Sequence, residues 1–320
     1  MKQAFTSILL GALCLSLGLG LCACRLKSNQ EQPSVQNHSE LTQTESFPVK
    51  LELEETHHII SSRPRRLAVL SADLVQALED IGAASLICGV SSDAPKDAST
   101  SGAKVCGTAL APELEQLIAA KPDWVLVSSQ MRESQIASLE EQGITVLTFS
   151  HPKTLDEIQE RYRQLFTLCY GLDGSAKATT FLTSYQSKLS DAIQPAADYA
   201  KLTGRKSAVY LAQLDYTMAT GEVFEGKLLD QMGLNNLGEL GSRWNYPKIE
   251  KEELKPDILF YDKTLTAEQI ADSEVYAQSP AVQNGRLYEV DFSAIRLQGL
   301  PMIEELGKMA RAAYPQAYGK

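Results

Sequence analysis

The chain has 320 residues with 30 basic and 40 acidic side chains, a formal net charge of −10. That length accommodates two domains of ordinary size, and the acidic balance argues against nucleic acid as a partner, since phosphates are held by Lys and Arg through counterion release. Past Cys24 no apolar run approaches the roughly 20 residues that cross a bilayer, so a membrane bundle is excluded as well.

An uncharged apolar run from Ala4 to Ala23 follows Lys2 and gives way at once to polar residues, the layout of a secretory signal peptide. Its end, Leu21-Cys22-Ala23-Cys24, resembles the bacterial lipobox. That resemblance implies a signal peptide over 1–23, diacylglycerol on the Cys24 sulfur, and a body tethered to the extracytoplasmic face of a bacterial membrane; an uncleaved signal anchor is the alternative. Residues 24–46 read as a disordered tether, because Ser28 to Ser46 has almost no apolar residues to bury. Only Cys88, Cys106 and Cys169 remain beyond the lipobox. A Cys88–Cys106 disulfide and two small buried hydrophobes are both open readings.

From about Phe47 the alternation of Val49, Leu51 and Leu53 predicts a short strand. His57 and His58 follow; neighbours on a strand point to opposite faces, so the pair is not set to chelate one metal. After Pro64 the pattern becomes regular. Strands are predicted at Leu67–Leu70, Leu86–Val90, Trp124–Ser128 and Ile144–Phe149, separated by helices at Ala72–Gly82, Pro112–Ala120 and Glu133–Gln142. Strands alternating with helices over short links imply a mostly parallel sheet, and an N-terminal α/β lobe over 47–153. Two long helical patterns come next, Leu155–Tyr170 and Ser175–Ala196, with only Gly171 to Gly174 between them. Residues 154–200 therefore read as a stiff helical connector, or as a hairpin folded back within one lobe. Strands at Ser207–Ala212, Asp257–Asp262 and Arg286–Asp291, with helices at Lys227–Met232 and Gly299–Ala313, predict a second α/β lobe over 201–320. The fold class is thus α/β, two lobes with mostly parallel sheets joined by a long connecting helix.

From Arg63 onward, RPRRLAVLSADLVQALEDIGAASLICGVSSD, ELEQLIAAKPDWVLVS, LEEQGITVLTF and LKPDILFYD resemble, in order and spacing, the helical-backbone class of ABC-importer substrate-binding proteins. That class includes receptors for ferric siderophores, haem and cobalamin. The resemblance implies a metal chelate as transported ligand in a cleft between the lobes, no cofactor of the protein's own, a monomer, and a permease dimer with its ATPase as partner. An enzyme is the competing class, yet the four histidines, His38, His57, His58 and His151, accompany no Gly-x-Ser-x-Gly elbow, His-Glu-x-x-His helix or Walker loop. A receptor for a bare metal ion is disfavoured because no His-rich loop is present.

In open α/β sheets ligands lie beyond the carboxyl ends of the strands. For the first lobe this nominates Ser71, Asp73, Thr108 to Leu110, Met131, Arg132 and His151, and for the second Tyr216, Trp244, Tyr246 and Arg296 in the loop Phe292 to Arg296. Aromatic walls suit a large flat ligand, and Arg132 and Arg296 suit its oxygens. Met131, His151, Tyr216 and Tyr246 are candidate axial donors to a haem iron. The run SRWNYPKIEKEELKPD is similar to a stretch of cobalamin receptors, which places corrinoid and ferric siderophore level, ahead of haem. The resemblance also implies docking glutamates. Glu115 lies seven residues before Pro122 beside Glu113, whereas Ile249 occupies the matching place before Pro256, so Glu252 or Glu250 is the second contact.

Overall fold

The computed structural model describes residues 46–54, 56–95, 100–213, 217–241, 243 and 254–319, all within one compact unit spanning 42–320. The lipobox, Cys24 and the tether up to residue 45 lie outside the described residues. Two strands, β1 (Val49–Glu52) and β2 (His57–Ile60), form an antiparallel ribbon with Leu51 opposite His58. The first lobe is a five-stranded sheet of β3 (Leu67–Val69), β4 (Ile87–Val90), β5 (Lys104–Val105), β6 (Trp124–Val127) and β7 (Thr145–Thr148), in the order β5-β4-β3-β6-β7. Every pairing in it is parallel. Leu67, Ala68 and Val69 are completely buried, as expected of a central parallel strand covered on both faces. The helices α1 (Ala72–Asp80), α2 (Leu114–Ala120) and α3 (Glu133–Glu140) make the crossovers.

The connector consists of α4 (Leu155–Tyr170) and α5 (Gly174–Thr203). Thr154 caps α4 by accepting from the Glu157 amide at 3.2 Å. The chain turns at Gly171, which has φ +63 and where a Cβ would meet the Ser46 carbonyl at 2.0 Å, so only glycine fits. The helices then run antiparallel, with the Tyr162 ring packed at a tilt against Phe181 at 4.7 Å and against Tyr185 at 5.5 Å. The 30-residue α5 is the expected long connecting helix: its first half packs on α4 and its second half on the other lobe. It continues to Thr203 through Pro195, beyond the expected end near residue 196.

The second lobe holds β8 (Ser207–Leu211), β9 (Asn235–Asn236), β10 (Ile258–Asp262) and β11 (Leu287–Val290), parallel and in the order β11-β10-β8-β9. Around it lie α6 (Phe224–Gln231), the short α7 (Ala267–Ala271) and α8 (Pro280–Gln283), α9 (Phe292–Leu297) and α10 (Leu300–Ala313). Phe292 to Arg296, expected as a loop, is helical because the Asp291 carboxylate accepts from the amides of Ser293 and Ala294 at 3.0 and 3.3 Å. One hydrophobic core runs through both lobes and the connector, taking Leu67 and Val69, Tyr162 and Leu182, and Ala208, Tyr210 and Leu306. The alternate residues Ala68 and Leu70, or Val209 and Leu211, enter a second core belonging to one lobe alone. The period-two alternation of each strand thus divides the apolar surface between a shared seam and a private layer.

The lobes also meet through polar contacts. The Asp80 carboxylate on α1 accepts from the Tyr162 hydroxyl at 2.5 Å, the Gln76 amide at 2.9 Å and the Leu300 backbone amide at 3.0 Å. Leu300 opens α10, whose N-cap is Gly299 and has no side chain to cap with, so α1 supplies the missing acceptor from the other lobe. A Cβ on Gly299 would sit 2.5 Å from the Asp80 oxygen. Gln298 donates to the Pro152 carbonyl at 2.8 Å and Lys227 to the Lys153 carbonyl at 3.3 Å.

Candidate functional site

In the first lobe the strand order reverses between β3 and β6, and a crevice forms beyond the carboxyl ends of strands at such a reversal. The loops leaving these two strands are stitched together there. Ser71 is the N-cap of α1 but makes no side-chain cap, because its hydroxyl accepts from the Ser128 amide at 2.8 Å. The Ser128 hydroxyl donates to Asp73 at 3.1 Å. Asp73, in the first turn of α1 and only 7% exposed, also accepts from Arg161 Nη1 at 2.6 Å. Arg161 reaches it from α4 and is itself 2% exposed. His151, just past β7, brings Nδ1 to 3.4 Å from the same Asp73 oxygen, and its side chain is 57% exposed.

The electrostatics follow from these distances. Burial pushes the Asp73 carboxyl upward, but the hydrogen bond to His151, the charge of Arg161 and the Ser128 hydroxyl outweigh it and hold the group below its ordinary range. Arg161 Nε and Nη2 are buried without a partner among the described residues. A buried guanidinium tied to one carboxylate fixes the floor of the crevice electrostatically as well as sterically.

The remaining expected positions divide. Thr108 is half-buried and accepts from the Ala111 amide through its hydroxyl at 3.2 Å, closing a tight turn that leaves Leu110 exposed. Met131 is buried among Val127, Leu139 and Ile144, so its thioether belongs to the private core of the first lobe, while the neighbouring Arg132 is exposed. Arg296 is exposed on α9 over the Phe292 ring at 5.6 Å. Tyr216, Trp244 and Tyr246 lie outside the described residues, as do Glu250 and Glu252. Glu115 is exposed in the first turn of α2. In the second lobe the reversal falls between β8 and β10. There Asp262 accepts from the Thr264 amide at 3.0 Å, and Lys263 pairs with Asp291 at 3.1 Å near the surface.

Two features lie apart from the crevice. A cavity of about 270 Å³ at the amino ends of the first sheet is lined by Arg66, Cys88 and Lys104. Its cations are engaged: Arg66 donates to the Ala120 and Lys121 carbonyls at 2.6 and 3.0 Å, and Lys104 to Ala119 at 3.4 Å, capping the end of α2. Cys88, Cys106 and Cys169 are free thiols. Burial raises Cys106 to about 11 and Cys169 to about 12, so these two behave as small hydrophobes. Among the described residues no group of three or more His, Cys, Asp and Glu converges as a metal site, and no helix is long and apolar enough to cross a membrane.

The periplasmic binding protein family model matches residues 67–294, well over half of the chain. The chain belongs to that family. This is a family of binding proteins rather than of enzymes. It is 24% identical to a cobalamin-binding protein of Halobacterium salinarum over 88% of this chain and 78% of that one. It is 23% identical to the ABC transporter substrate-binding lipoprotein YvrC of Bacillus subtilis, over 89% of this chain and 92% of that one. Among solved structures, the periplasmic heme-binding protein HutB of Vibrio cholerae superposes with a TM-score of 0.66 at 18% identity, covering 78% of this chain and 99% of the other. That likeness bears on the fold, two parallel α/β lobes joined by a long helix.

The sequence pattern singled out Ser71, Asp73 and His151 but not Arg161 or Ser128. Arg161 carried a signal all the same: it lies three residues after Ile158 and four before Leu165, on the buried face of α4. A charge on an apolar stripe calls for a buried partner, and Asp73 is that partner.

Proposed function

We propose that the binding protein is the lipid-anchored, extracytoplasmic substrate receptor of an ABC importer and carries a metal chelate to its permease. The observation that carries this reading is the pinned set Ser71, Asp73, Ser128 and His151 at the strand reversal of the first lobe, an acidic and imidazole-bearing floor in a family of ligand carriers. The similarity to a cobalamin-binding protein supports a corrinoid, with a ferric siderophore beside it and haem third. Thr108, Arg132 and Arg296 then contact the periphery of the ligand, and Tyr216, Trp244 and Tyr246 its faces. The lipoprotein among its relatives supports Cys24 as the anchor.

Incubating the purified chain with intact chelates and, separately, with free Zn²⁺ or Mn²⁺ tests the ligand class by thermal shift. A shift with a chelate alone is expected, and a shift with the bare ions alone overturns the reading. Anchoring is tested by Cys24→Ala, which releases the body from the membrane fraction or leaves the precursor uncleaved. Docking is assigned to Glu115 with Glu252, or Glu250 in its place. Glu115→Ala with Glu252→Ala leaves chelate affinity intact and impairs uptake in a reconstituted importer, because rim charges orient association rather than fill the ligand site.

A further inference from the structure

We propose that Arg161 and Gln298 form a latch between the lobes: when a ligand draws the lobes together, the side-chain oxygen of Gln298 takes the open edge of the Arg161 guanidinium. This goes beyond the chelate reading above and needs it only for the choice of probe.

Two buried groups of opposite hydrogen-bonding sense carry the argument. Arg161 commits Nη1 to Asp73 at 2.6 Å, while its Nε and Nη2 are buried and meet no partner among the described residues. Those two nitrogens make up a flat two-donor edge of the kind that grips oxygen acceptors. On the second lobe Gln298 is 1% exposed, and its Oε1 is likewise buried without a partner among the described residues. The identity of that atom is fixed by its sister: Nε2 donates to the Pro152 carbonyl at 2.8 Å, which only an NH2 group can do. An amide oxygen has two lone pairs, so Oε1 is able to accept from both nitrogens of the edge. Buried donors and acceptors left unmade are costly, and an approach that joins them is favoured.

The two residues share one seam, between α1 and α4. The bond to Pro152 ties Gln298 to the entry of α4. Its chain neighbour Gly299 lies against α1 and α4 together, since a Cβ there would sit 2.7 Å from Gln76 Cγ and 3.4 Å from the hydroxyl of Tyr162, the residue after Arg161. The backbone gives a second, independent sign. Gln298 closes α9 in the left-handed region at φ +55 and ψ 23, where glycine sits without strain and a side chain does not. What the glutamine adds at that position is its amide. The latch would form only in the closed, ligand-bound arrangement, so its energy appears in ligand affinity rather than in the stability of the ligand-free chain.

The test uses the full chain with diaquocobinamide, ferric protoporphyrin and a ferric siderophore as probes, and reads affinity beside the ligand-free melting temperature. Gln298→Gly removes the amide and relieves the backbone, so melting stays near wild type while affinity for the probe that binds falls by about tenfold or more. Arg161→Lys keeps a cation beside Asp73 but has no two-donor edge, and lowers affinity to a similar extent. The two changes together weaken binding no further than the larger of the single losses, because they break the same contact. Wild-type affinity in Gln298→Gly, a loss of affinity accompanied by a lower ligand-free melting temperature, or losses that multiply in the double variant would each overturn the latch and leave the chelate reading standing. If none of the three probes binds, the chelate reading fails and a crystal structure of the ligand-free chain decides the latch. The expected result is Gln298 Oε1 facing Arg161 Nε and Nη2 across the seam with no other protein partner for either, and a different protein acceptor on that edge overturns the inference.

Discussion

Asp73 and Asp80 stand seven residues apart on α1, both largely buried, and each takes a partner from adjacent residues of α4, Arg161 and Tyr162. His151 and the full charge of Arg161 together hold Asp73 below its ordinary range despite burial. Tyr162 brings only a hydroxyl, and burial prevails over the hydrogen bonds from Tyr162, Gln76 and Leu300, raising Asp80. One helix thus carries a charged carboxylate to the crevice, where it faces His151, and a carboxylate inclined toward protonation to the lobe junction, where it caps α10. The difference shows how a single connector helix sets the floor of the crevice and fastens two lobes, with the division made by the chemistry of two neighbouring side chains.

The comparison breaks most severely at Arg161. Arg161→Met deprives the buried Asp73 of its guanidinium and leaves only Ser128 and the exposed His151 beside it, with an expected loss of about 3–5 kcal/mol in denaturant unfolding. At the junction, Asp80→Ala orphans the Leu300 amide and the Tyr162 hydroxyl and costs about 2–3 kcal/mol. Asp80→Asn keeps an acceptor for both and stays near wild type, a contrast that thermal melts read directly. Gly299→Ala forces a methyl against the Asp80 oxygen and costs about 1–3 kcal/mol.

The pH dependence sharpens the contrast, because the two groups act in opposite senses. The lowered Asp73 contributes stability that is present above its unfolded value, about 3.9, and lost as pH falls through its lower folded value. The raised Asp80 binds its proton more tightly in the folded state, so acidification through its folded value toward the unfolded one favours folding. Melting curves between about pH 7 and pH 3 should therefore show Asp73→Asn less stable than wild type at neutral pH, with the gap closing in acid. Asp80→Asn should match or exceed wild type at neutral pH and lose that advantage in acid. The smallest effect is expected for Lys263→Ala: its pair with Asp291 is near half exposed, and unfolding should change by less than about 1 kcal/mol.

Much of the scaffold was legible in the sequence. Leu67–Val69, Trp124–Val127 and Ile258–Asp262 are apolar runs that parallel burial requires, and Leu155–Tyr170 matches its helical pattern end to end. The reading stopped near Pro195, where a missing donor normally ends a helix. In the fold, packing of α5 against α10 and α6 carries it on to Thr203, with Ala192, Ala196 and Ala200 buried along the way. The six residues of α9 are too few for periodicity to register, and its cap lies in the preceding Asp291. At the site, strand ends led to Ser71, Asp73 and His151, since topology alone directs attention there. The ties from Asp73 to Arg161 and from Asp80 to Leu300 join residues 88 and 220 positions apart and become visible only when α1, α4 and α10 meet.

The most direct test of the account is to mix the purified chain with diaquocobinamide, ferric protoporphyrin and a ferric siderophore in turn, desalt, and record the visible spectrum of the protein peak. The account predicts that one metal chelate travels with the protein in about equimolar amount. A colourless protein peak from every mixture, from a preparation that still unfolds cooperatively, would contradict it.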